Sequence, residues 1–336
     1  MRVYELDGAF GLDHLRPAER PLPEPRRGEI VIAVSAVSLN YRDLLMVRGH
    51  YNPRQPLPLV PCSDAVGEVV ATGPDVDRFA VGDRVCPLFA QRWIAGEPEH
   101  QRLRSTLGGP LDGTLRSHMV LPAEAAVAAP PHLSNVEAAC LPCAALTAWS
   151  ALVELGPVAA GDTVLVLGTG GVALFALQFA HLLGARVILT SSSDDKLARG
   201  RELGAWQTLN YRRQPEWGKE VRRLTEGRGA DLVVEVGGAA TLAQSLRAVR
   251  MGGTISLIGV LSGTEAPLSV TPVLMQQVRI QGVLVGHRDG FENMNRAISG
   301  HQLRPIVDRV FTFDQTPQAF DHLASGSHFG KVCLEL

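Results

Sequence analysis

Apolar residues recur with two different periods along this chain, and the change of period divides it. Residues 1–125 carry short apolar runs such as Glu29–Ser35, Gly67–Ala71 and Gly82–Val85, each bounded by Pro or Gly. That spacing predicts an irregular, mostly antiparallel β unit. From about residue 135 strand-like and helix-like stretches alternate. Strands are predicted at 164–167, 186–190, 207–209, 231–236, 254–260 and 278–285, and helices at 136–155, 172–183, 194–203, 215–226 and 240–250. Such alternation predicts an α/β fold with a doubly wound parallel sheet. The stretch from Arg304 to Leu336 returns to short strands around one helix, Thr316–Ser325, and is read as a tail that rejoins the first unit. The polar segment Ala90–Gly109 has no clear period and reads as a surface loop near the active site. The domains expected are therefore 1–125 completed by 300–336, and 126–299.

The stretch from Asp162 to Lys196 is the most specific. An aliphatic run, Val164–Leu167, is followed at once by Gly168-Thr169-Gly170-Gly171-Val172-Ala173, then a helical stretch, then a second buried run, Arg186–Thr190. This strand–turn–helix–strand context is what gives a glycine fingerprint meaning as a dinucleotide site. Gly168 permits a tight turn, Gly170 lets backbone approach a pyrophosphate, and Ala173 keeps helix and strand close. The helix N-terminus offers free N–H groups and the positive end of its dipole. Residues 163–185 contain no charged side chain, so a membrane span is the rival reading. The glycines in mid-span and the flanking strands argue against it.

The residue after the second strand chooses the cofactor. NAD enzymes place an acid there to hold the ribose 2′-OH. This chain has Ser191, with Ser192 beside it and Lys196 one turn on. Those residues favour NADP(H) over NAD(H), with Tyr211 closing the same pocket. The run Thr190–Asp195 also reads as a polar loop and helix cap.

Composition narrows the class. The chain has 336 residues, a net charge of −2 and five cysteines. Length allows two domains with cores of their own. Charge gives no reason to expect nucleic acid or an anionic membrane. The N-terminal residues lack an apolar signal segment, and the odd, scattered cysteines fit reduced thiols, so a cytoplasmic protein is expected.

Several ordered blocks resemble the medium-chain dehydrogenase/reductase superfamily. They are Leu59–Val70, Phe79–Val85, Leu141–Trp149, the glycine turn, Glu202–Ala205 and the closing Gly330-Lys331. The resemblance runs from end to end. It implies a GroES-like, mostly antiparallel β catalytic domain plus a Rossmann domain, with the cofactor between them and hydride transfer as the reaction. Zinc enzymes of the superfamily use Cys and His ligands where this chain has Asn40, Ser63 and Cys143. Asn and Ser are poor zinc ligands, and nothing like the four-cysteine structural zinc loop follows Cys86. No metal is expected.

Without a metal to acidify an alcohol, reducing an activated acceptor is the easier chemistry. Ser63–Gly67 resembles the zinc-free quinone oxidoreductase and enoyl reductase branch. That resemblance implies an NADPH-dependent reductase of quinones or α,β-unsaturated carbonyls. Alternatives are an alcohol or aldehyde dehydrogenase of the same fold and a non-catalytic NADPH-binding protein. By position, Asn40 is expected near the nicotinamide, Tyr51 as a hydrogen-bond or proton donor, and Asp64 as an orienting acid. Thr147 is expected at the nicotinamide, Gly259, Val260 and Leu261 at its carboxamide, and Lys331 at the cofactor. A homodimer is expected through the edge 278–285, which would be a liability uncovered.

Overall fold

One long strand, Glu29–Leu39, sets the register of the first unit. The computed structural model describes residues 1–336. They form two units, Met1–Leu146 with Val285–Leu336, and Thr147–Leu284. In the first, a seven-stranded sheet runs in the order Val307–Thr312, Lys331–Glu335, Glu29–Leu39, Asp64–Thr72, Arg84–Pro87, Ala126–Ala128, with His118–Pro122 also pairing to Glu29–Leu39. All these pairings are antiparallel except that between Val307–Thr312 and Lys331–Glu335. Ile30, Ile32, Val37, Leu39, Val69, Val332 and Leu334 lie in its core. Each such side chain, fully buried, contributes roughly 1.5–3 kcal/mol. Val332 pairs with Leu39, and Ser38 with Asp64. That register brings the start of the last strand, the end of Glu29–Leu39 and the start of Asp64–Thr72 to one end of the sheet.

The second unit is a six-stranded parallel sheet in the order Gln207–Asn210, Arg186–Ser191, Thr163–Leu167, Ala230–Glu235, Val249–Leu257, Arg279–Gly282. Every residue of Thr163–Leu167 is buried, as a strand covered on both faces requires. Leu165, Ile188, Leu209, Val233 and Ile255 form the core. The strand order reverses beside Thr163–Leu167, where open α/β sheets bind ligands.

Three expectations need correction. The units divide at 146/147 and 284/285 rather than at 125 and 300. Residues after 125 stay with the first unit because Ser38 Oγ donates to Cys140 Sγ and Cys86 Sγ to the Ala138 carbonyl. The helix Arg288–Gly300 belongs there too, since Arg288 N donates to the Trp93 carbonyl and Asn295 Nδ2 to that of Ala128. The segment Ala90–Gly109 is not a plain surface loop. It contains a helical turn, His100–Leu103, a bridge between Ala90 and Thr106, and a buried base from Ser105 to Leu107. The strand expected at 278–285 is only Arg279–Gly282, because Gln277 and Val285 on either side have φ of 51° and 53°, which no strand allows.

Candidate functional site

In the second unit the glycine turn follows Thr163–Leu167 directly. Gly168 has φ 79°, a left-handed conformation that favours glycine, and its N–H donates to Thr190 Oγ1 at 3.3 Å. Thr169 is buried, Gly170 precedes the helix, and a Cβ at Gly170 would meet no atom within 4 Å. The helix Gly171–Leu182, with Val172 and Ala173 in its first turn, starts without a side-chain cap. Its first N–H groups are therefore free for a phosphate, as the sequence implies.

At the end of the next strand, Ser191 Oγ accepts the Ser193 N–H at 3.3 Å, and Ser193 Oγ accepts that of Lys196 at 3.4 Å. The serine run is thus both a helix cap and a row of hydroxyls, with Ser192 between. Asn210 Nδ2 donates to the Ser192 carbonyl at 3.4 Å and to Asp194 Oδ1 at 2.8 Å, and Arg213 pairs with the same carboxylate. The Asp194 carboxylate is thus engaged by Asn210 and Arg213. Tyr211 N donates to the Ser191 carbonyl at 3.1 Å, and its ring is exposed.

A feature not legible in advance is Glu235. Its buried carboxylate accepts the N–H groups of Gly237 at 2.8 Å and Gly238 at 3.0 Å, and the hydroxyls of Thr241 and Ser245. Its carbonyl accepts the Ile258 N–H at 2.9 Å, and Ser262 Oγ donates to the Gly237 carbonyl at 2.8 Å. Two loops at the carboxyl ends of adjacent strands are knitted together this way. A Cβ on Gly259 would lie 2.2 Å from the Val236 carbonyl oxygen, so only glycine fits there. Val260 and Leu261 are exposed, and Thr147 is buried within the same unit. The signal in the sequence was one acid in the apolar run Leu232–Val236.

In the first unit the sheet register gathers Asn40, Asp64 and Lys331. Lys331 is 3% exposed. Its Nζ donates to the Leu39 carbonyl at 2.7 Å and to Asn40 Oδ1 at 2.5 Å, and lies 3.8 Å from Asp64 Oδ2. Burial works against its charge, but Asp64 together with Cys140, Cys143 and Cys333 outweighs burial and the ammonium is held above its ordinary pKa. Burial raises the Asp64 carboxyl, opposed by Lys331, Asn40 and Ser63. Asp43 accepts the Asn40 N–H at 2.8 Å, and burial pushes this carboxyl up to about 7. Cys62, just before Ser63, has φ 70°, strained for a side-chain-bearing residue, and such strain clusters at functional sites. Lys331 was expected at the cofactor; its partners in the structure are Leu39, Asn40 and Asp64.

Tyr51 stands apart from this cluster. Its exposed ring lies 4.7 Å from the Arg42 guanidinium, which also lies 4.9 Å from the ring of Phe89. Arg42 donates to the carbonyls of Leu107 at 2.9 Å and Gly109 at 2.5 Å, tying Tyr51 to the base of the Ala90–Gly109 segment.

The positions that hold zinc in related enzymes do not fit the metal here. Asn40 Oδ1 already receives an ammonium, Ser63 Oγ donates to Asp64 Oδ1 at 3.3 Å, and burial pushes the Cys143 thiol well up, away from the thiolate zinc needs. No three His, Cys, Asp or Glu side chains converge on a metal-sized site.

Comparison with known proteins covers the whole chain. The family described as "Alcohol dehydrogenase GroES-like domain" matches residues 26–131, and "Zinc-binding dehydrogenase" matches 171–300. A "Zinc-type alcohol dehydrogenase-like protein" of Schizosaccharomyces pombe is 42% identical, over 100% of this chain and 99% of its own. The crystal structure of a putative alcohol dehydrogenase from Sinorhizobium meliloti superposes with a TM-score of 0.94 at 45% identity, covering 100% of this chain and 98% of that one. The crystal structure of an NAD-dependent alcohol dehydrogenase gives a TM-score of 0.92 at 35% identity, covering 100% of both chains. More distant relatives are named alcohol dehydrogenase, acryloyl-coenzyme A reductase and quinone oxidoreductase-like protein.

Proposed function

Because the chain belongs to the medium-chain dehydrogenase/reductase superfamily and is an oxidoreductase, we propose that it reduces quinones or α,β-unsaturated carbonyls with NADPH and without zinc. The observation that carries this reading is the Lys331–Asn40 hydrogen bond at 2.5 Å, at a position where zinc relatives have a ligand. An amide oxygen engaged by an ammonium is not offered to a cation.

NADPH supplies the hydride when bound. Gly168, Gly170 and the first turn of Gly171–Leu182 would receive its pyrophosphate. Ser191, Ser192 and Lys196 would receive the 2′-phosphate, with Tyr211 at the rim. Thr147 and the Gly259–Leu261 loop, fixed by Glu235, would receive the nicotinamide end. Asn40 would hold the acceptor oxygen, where charge develops as the far carbon is reduced, and preorganised donors at such a point lower the barrier. Tyr51, the donor that the family resemblance implies, would supply a proton.

Alcohol oxidation is the second reading, favoured by the names of the more similar relatives. One substrate separates the two. With a cyclic enone and NADPH, the saturated ketone is the expected product. The allylic alcohol in its place would mean carbonyl chemistry and the second reading.

A homodimer belongs to this proposal. Arg279–Gly282 is an open sheet edge, and exposed Val270, Leu274, Met275, Ile280 and Leu284 lie on or near it in sequence. An edge with this much apolar surface is best covered by a second copy. Sedimentation is expected to give a dimer; a monomer at every concentration would contradict it.

A further inference from the structure

We infer that Lys331 is a positioning residue that fixes the amide of Asn40 with its N–H groups as the working end. The inference rests on the reading of Asn40 as the group facing the acceptor oxygen.

The two ends of an asparagine amide are nearly the same in shape and differ in hydrogen bonding. Lys331 settles which end is which. Its ammonium donates to Oδ1 at 2.5 Å from a site 3% exposed to solvent. Turning the amide over would set an NH2 group against an NH3⁺ group there, with no water to screen them. Asn40 Nδ2, in contrast, is buried with no partner at full hydrogen-bond distance, and leans only loosely on the Asp64 carboxylate. An unmet buried donor costs about 1–3 kcal/mol and is rare without a reason. Charge on Oδ1 also polarises the amide and makes Nδ2 a stronger donor, because linked hydrogen bonds strengthen one another. Asp64, 3.8 Å from the ammonium, keeps the lysine charged in its dry site. Leu39, through its carbonyl, takes another of the ammonium protons. Lys331 thus places a positive charge one residue behind the donor, with no ligand needed from Ser63 or Cys143.

The test is a double-mutant cycle on turnover of an enone with NADPH. Asn40→Ala alone is expected to lower kcat about a hundredfold, the order seen for losing one oxyanion donor. Lys331→Met removes the ammonium but strands Asp64, so Lys331→Met/Asp64→Asn serves as the charge-balanced background. In that background kcat is expected to be low already, and adding Asn40→Ala is expected to lower it by less than threefold more. KM for the enone is expected to move far less than kcat in both. If the two losses multiply instead, Lys331 acts independently of Asn40 and the inference is overturned, while the role of Asn40 stands. If Asn40→Ala alone leaves kcat unchanged, the reading of Asn40 falls and the inference falls with it. Melting curves of each variant confirm that folded protein is compared.

Discussion

Asp43 Oδ2 accepts the backbone N–H of Asn40 at 2.8 Å, while its Oδ1 is buried without a hydrogen bond. Burial pushes this carboxyl up to about 7, whereas in an unfolded chain it titrates near ~3.9. Between those values the folded protein binds a proton that the unfolded chain does not. Stability therefore falls as pH rises through that window and levels off above it. Asp43→Asn keeps an oxygen for the Asn40 N–H and removes the titration. The variant is expected to gain stability over the parent at about pH 8 and to lose that advantage near about pH 4. Thermal unfolding at the two pH values checks this; a difference that does not change with pH would contradict it.

Asp231 behaves in the opposite sense. It accepts from Arg228 at 2.6 Å, from Arg250 at 2.6 Å and from the Thr163 N–H at 2.8 Å. Burial alone would raise this carboxyl, but these partners together hold it at about 2. Its stabilisation is complete above the unfolded value and is lost as pH falls through about 2. Asp231→Asn is expected to cost roughly 2 kcal/mol at neutral pH, and less in strong acid. Denaturant titration across pH measures it, and an equal cost at all pH values would refute the linkage.

Ser191 stands where an acid would grip a ribose 2′-OH. Ser191→Asp places a carboxylate against any 2′-phosphate. Affinity for NADPH is expected to fall about tenfold or more while NADH binding holds or improves. Fluorescence titration with both nucleotides gives the ratio. An unchanged ratio would move the specificity pocket elsewhere.

Much of this was legible in the chain, and the rest had physical reasons for staying hidden. The parallel unit announced itself because Thr163–Leu167 is buried on both faces and reads as an unbroken apolar run before a glycine turn. Antiparallel strands were found, but their lengths were not. Glu29–Leu39 runs well past Ser35, because a residue's pairing depends on partners far away, here Val332 and Asp64. Arg279–Gly282 came out shorter than its apolar run, since the backbone at Gln277 and Val285 rather than hydrophobicity ended it. Asn40, Asp64 and Lys331 were each singled out separately. Their meeting is a consequence of sheet register, which no local pattern encodes. Glu235 went unnoticed because a buried acid is recognisable only once its four donors are seen.

The most direct measurement is NADPH oxidation by chelator-treated protein whose residual zinc has been quantified, against an enone, a quinone and an aldehyde. The account predicts turnover of enone or quinone that zinc addition leaves unchanged, in protein holding far less than one zinc per chain. Activity that vanishes with the chelator and returns with zinc, or activity on aldehydes alone, would contradict it.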